Sequence, residues 1–105
     1  MPTPYTVTIT ISNGSISCQP NGGNLQVAHG DPITWNSDKD CTLVFYPFKN
    51  NKKGNKEWPF DEQEPAWPQK KCKGTRSKGS GTETFKYTVK ATGCTDLDPI
   101  IIVDK

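Results

Sequence analysis

The sequence predicts an all-β sandwich or barrel, and three observations carry that expectation. Short segments alternate apolar and polar residues with a period of two, the mark of a strand with one face buried. Turn residues punctuate these segments, and nine Gly and nine Pro leave little room for long helices. Apolar content is only 31%, so three Trp, three Tyr and four Phe must supply much of the burial. At 105 residues the chain has the size of one ordinary domain, residues 1–105, with a modest stability margin.

The elements follow in order. Tyr5, Val7, Ile9 and Ile11 point one way and Thr6, Thr8 and Thr10 the other, a half-buried strand. Asn13-Gly14 follows as a hairpin turn, because both residues tolerate positive φ. Asn13-Gly14-Ser15 also fits a glycosylation acceptor, but is read here as a turn. Ser15 to Cys18 continues as a short strand until Pro20 and Gly22-Gly23 break it. Leu25 to Ala28, a turn at His29-Gly30-Asp31-Pro32 and a strand from Ile33 to Trp35 come next. Asn36 to Asp40 reads as a polar loop, and Thr42 to Tyr46 as a strand of β-branched and aromatic residues. Residues 47–82 keep no period and read as a long decorated connection with a helical turn or short strand in it. Phe85, Tyr87 and Val89 alternate with Lys86, Thr88 and Lys90, and Ile100 to Val103 is a continuous apolar strand, shielded on both faces.

At this point the residues resemble a family. Val27-Ala28-His29-Gly30-Asp31-Pro32-Ile33-Thr34-Trp35-Asn36 is similar to the cupredoxin pattern V-x-x-G-D-x-V-T-W-x-N. Ser15 to Pro20 fits the family's early strand, and Phe85 to Val89 through Leu97 to Val103 resembles the closing strands of plastocyanin-type domains. The resemblance covers residues 5–46 and 83–104. It implies a Greek-key β-sandwich of about seven or eight strands, with the 46–82 segment as a basic, Pro- and aromatic-rich insertion. The first and last strands should then share a sheet or face each other across the core. Trp35, Phe45, Phe85 and Tyr87 should meet between the sheets.

The family's type 1 copper needs two His, one Cys and a weak axial Met. The first His falls on Cys41, and a gapless alignment puts the other ligands on Val89, Thr92 and Leu97. No copper ligand is kept, and the one His of the chain, His29, lies in the turn at the opposite end. No cofactor is therefore expected. Cys41 and Cys94 fall on loops at the former metal end, and Cys18 leads toward it. Three readings stay open: a Cys41–Cys94 disulfide, a thiol site for a soft metal such as Cu(I) or Zn that also uses Cys18, or buried spectator thiols.

Catalysis is not expected. One His leaves little for a nucleophile–base pair, no G-x-S-x-G or HExxH motif is present, and Asp61, Glu62 and Glu64 read as solvated acids. The stronger lead is a binding module built on the middle segment. Tyr46-Pro47-Phe48, Trp58-Pro59-Phe60 and Trp67-Pro68 place large aromatics beside rigid prolines, among Lys52, Lys53, Lys56, Lys70 and Lys71. Residues 46–82 carry nine basic and four acidic side chains, on a body with four Lys against seven acids. Such a surface suits another protein, a sugar or a polyanion. Alternatively, Trp58 and Trp67 fold back as a lid on the core. Nucleic acid is a weaker fit, because net charge is only +2. No apolar stretch reaches membrane-spanning length, and a monomer is expected. If Met1 is native the chain belongs in the cytoplasm; if a signal peptide was removed, in the periplasm or outside the cell.

Overall fold

The computed structural model describes residues 2–104. Eight strands make up an all-β fold: β1 Tyr5–Ser12, β2 Ser15–Gln19, β3 Leu25–Ala28, β4 Pro32–Lys49, β5 Lys52–Lys53, β6 Gln69–Thr75, β7 Glu83–Lys90 and β8 Ile100–Asp104. The hydrogen-bonded order is β2-β1-β4-β7-β8-β3, with β5 and β6 added to β4. One layer consists of β2, β1, the first half of β4 and β6; the other of the second half of β4, β7, β8 and β3. β1 runs parallel to β4, Tyr5 opposite Ile33, and β3 runs parallel to β8, Leu25 opposite Ile101.

β4 is where the structure departs first from the expected elements. Two short strands separated by a loop at 36–40 are instead one strand of 18 residues. Its pairing register shifts between Asn36 and Cys41 as it passes from one layer to the other. The intervening polar residues are solvated, and the Ser37 hydroxyl caps the bulge by donating to the Lys39 carbonyl at 2.6 Å. The backbone N–H of Ile11 donates to Asp38 at 2.9 Å, which ties the crossing to β1.

The middle segment is the second departure. β6 pairs along the first half of β4, Trp35 opposite Cys72. It is an edge strand whose only buried positions are Cys72 and Gly74, with Lys70, Lys71 and Lys73 exposed. Without an apolar alternation it left no strand signature, and lysines are what guard such an edge from pairing further.

The core joins both layers. Trp35, Phe45 and Tyr87 meet with ring centroids 5.5–5.6 Å apart, as expected. Phe85 is buried but is covered by the Arg76 guanidinium, 5.1 Å from its ring. β1 and β8 lie in opposite layers, and Val7, Ile9, Ile101 and Val103 share one core between them. The apolar run of β8 is not shielded on both faces: Ile101 and Val103 are buried, while Ile100 and Ile102 face outward and are half-exposed.

Candidate binding surface

The ten residues expected to form one binding surface are dispersed. Phe60 leaves the surface altogether: it is 4% exposed, with its ring 5.0 Å from Phe45 and 5.6 Å from Trp35. A small sandwich needs aromatic area inside, and this ring supplies it. Trp58 follows it inward, 5.3 Å from Phe45, and its indole N–H donates to the Glu62 carbonyl. Trp67 packs half-buried against the corner formed by Cys41 and Cys72, held by a 3.0 Å hydrogen bond to Glu64. The two tryptophans are therefore lids on the core. Lys70 and Lys71 sit on β6 in the first layer, and Lys56 is exposed in the link after β5.

Tyr46, Phe48 and Lys53 do come together, on the outer face of the second layer. The alternation that sends Leu43 and Phe45 into the core turns Val44, Tyr46 and Phe48 outward. Tyr46 lies opposite Lys86, and Lys86 opposite Ile100. β5 places Lys53 opposite Phe48 and Lys52 opposite Lys49, so pleat alternation sends Lys52 to the other side. Lys53 Nζ stands 5.0 Å from the Tyr46 ring centre and Lys86 Nζ 5.5 Å from that of Phe48. Both ammonium groups face Asp98, at 2.7 and 3.9 Å. Partial burial draws the Asp98 carboxyl upward, but hydrogen bonds from Lys53 and Thr88 outweigh it and lower its pKa. Lys90 pairs with Asp96 at 2.9 Å. Val44, Ile100 and Ile102 were not among the expected surface residues. Their outward direction follows from register, which the continuous apolar run at 100–103 concealed.

The end where the resemblance would place a metal is closed by the backbone. Val89 N–H donates to Leu97 O at 2.7 Å and Leu97 N–H to Val89 O at 3.1 Å, at the two positions aligned with copper ligands. The Cys41–Cys94 disulfide is not formed; all four thiols are free. Cys94 lies in a turn held to Ala91 and next to Thr95, whose N–H reaches Gly14, whereas Cys41 points into the core. Among the described residues no three His, Cys, Asp or Glu side chains are grouped to hold a metal, so Cys18, Cys41 and Cys94 do not assemble the soft-metal site. Burial pushes the Cys18 thiol up to about 11 and Cys72 up to about 12, and also raises Cys41. Protonated thiols are poor nucleophiles and poor metal ligands.

His29 is at the other end. Its Nδ1 is 2.7 Å from the Asp104 carbonyl oxygen and its Nε2 3.0 Å from Glu83. Glu83 opens β7, while Thr42, next to Cys41, pairs with Lys90 at the far end of the same strand. That length of strand separates the two ends by about 23 Å. Arg76 grips Glu83 with two hydrogen bonds, 2.9 and 2.8 Å, and the Pro59 carbonyl with a third, 2.7 Å.

No protein-family model matches the chain, and no curated protein sequence matches it either.

Proposed function

We propose that this protein is a non-catalytic binding module, a copper-less cupredoxin-like domain that docks another protein on the outer face of its second layer. The observation that carries the reading is one sheet face with two apolar rows, on β4 and on β8, either side of Thr84 and Lys86 of β7. Val44, Tyr46, Phe48, Ile100 and Ile102 are half-exposed on a sheet face that would ordinarily be polar. The charges around it are already paired within the chain, Lys53 and Lys86 with Asp98 and Lys90 with Asp96. A polyanion would gain little from them, whereas half-exposed aromatic and aliphatic side chains interleaved with internally paired charges suit a protein partner. Support for the cupredoxin-like reading comes from the two parallel pairings and from the strand shared between layers. Support for the non-catalytic reading comes from His29, engaged by Glu83 and the Asp104 backbone, and from the buried thiols.

A photo-cross-linking amino acid in place of Tyr46, introduced in the source cell, should give a discrete adduct with a second protein. The adduct should disappear when Ile102→Lys is added, and the same probe in place of Thr8 on the opposite layer should give none. Equal labelling from both positions, or none from position 46, would overturn the reading.

A further inference from the structure

The second layer ends in an open groove of about 440 Å³, where the strand ends of β4 and β7 meet the turn that precedes β7. Its size falls within the range of small-ligand sites, about 300–1,000 Å³. We infer that this groove binds a neutral, hydroxyl-rich ligand of the saccharide class. It adjoins the protein-docking face, shares Phe48 with it, and brings Thr84 opposite Ile102.

Three features of the lining lead there. The first is charge: Lys49 and Arg76 are matched by Glu57 and Glu83, so the groove carries no net charge to attract an ion. The second is fixed geometry. Arg76 is held by Glu83, by the Pro59 carbonyl and over the Phe85 ring, and Glu83 is held from behind by His29. This wall is set before any ligand arrives, which lowers the ordering cost of binding. The third is unused hydrogen-bonding capacity. Among the described residues the side chains of Lys49, Glu57, Ser80 and Thr84 make no hydrogen bond to the protein. An ammonium and a carboxylate on one groove, with hydroxyls between, offer donors and acceptors together. Pro47 and the Phe48 ring supply apolar surface beside them. A sugar presents this same combination, hydroxyls that both donate and accept around a C–H face. An inorganic anion would meet two carboxylates, and a purely apolar ligand would strand the polar groups.

The test is a two-dimensional amide NMR titration of the whole chain with cellobiose and with maltose, and separately with inorganic phosphate. At least one disaccharide should give saturable millimolar shifts at Lys49, Glu57, Thr82 and Thr84, insensitive to added salt. Glu57→Gln, on an exposed side chain, should weaken that binding about tenfold, the loss expected for a hydrogen bond to a charged group. Thr84→Val should weaken it as well, and Val44→Lys, at the far end of the docking face opposite Thr88, should leave it unchanged, which separates this site from that face. No saturable shift with either sugar, the same shifts with phosphate, or undiminished affinity in Glu57→Gln would overturn the inference.

Discussion

At Gly74 the absence of a side chain decides where Phe60 goes. A Cβ there would stand 2.5 Å from the Phe60 ring, which cannot withdraw because Trp35, Phe45 and Trp58 surround it. Gly74→Ala should therefore lower stability by about 1–3 kcal/mol, read as a fall in the urea midpoint. An unchanged midpoint would mean the ring is not seated there. Glu83 sets a pH dependence. Arg76 holds its carboxyl down to about 2, from the usual 4.5, against the upward pull of partial burial, and His29 adds to the lowering. A depressed carboxyl stabilises the fold fully above its unfolded value and loses that contribution as pH falls through the folded one. Stability should thus decline between about pH 4.5 and 2, and Glu83→Gln should flatten the decline in that window. The thiols give the opposite sign: raised values favour the fold below about pH 9, and the contribution fades as pH rises toward 11 and 12. At neutral pH a thiol reagent should label half-exposed Cys94 first and reach Cys18, Cys41 and Cys72 only when denaturant is added.

Segments rather than single residues explain what could be read from the chain. β1 and β7 were legible because one face is apolar and the other polar, so Val7, Ile9 and Tyr87, Val89 alternate with Thr and Lys. β6 was not, because an edge strand buries little and Gly74 marks a ring's seat without showing which ring. For the same reason residues 58–60 looked like exposed anchors. An aromatic next to a proline reads alike whether it faces a partner or its own core, and only the β4–β6 pairing selects. Half of the surface was foreseeable, Tyr46, Phe48 and Lys53; its other half comes from β8, where four consecutive apolar residues carry no facing information. The segment's inward role has a measurable consequence. Phe60→Ala should cost about 3–5 kcal/mol, while Tyr46→Ala on the outer face should stay within about 1 kcal/mol. Comparable losses at the two positions would contradict the assignment of faces.

Over the whole molecule, the resemblance to cupredoxins and the architecture lead to one expectation about metal. The ligand positions hold a backbone bridge between Val89 and Leu97, a buried Cys41 and Thr92. Adding copper(II) should give no intense visible charge-transfer band, since no thiolate–imidazole set is available to produce one; a strong blue colour would refute the alignment of residues 85–103. The two layers are joined by β4, and each contains a parallel pair whose members are far apart in the chain. β1 finds its partner early, Tyr5 opposite Ile33, but β3 is completed only by β8, Leu25 opposite Ile101. On the ribosome, β3 is made without its strand partner and waits for residues 101–104 to follow. At usual elongation rates that interval is about 4–15 s. During it, the second layer is an open template and the nascent chain is at its most vulnerable to chaperone capture or misassembly.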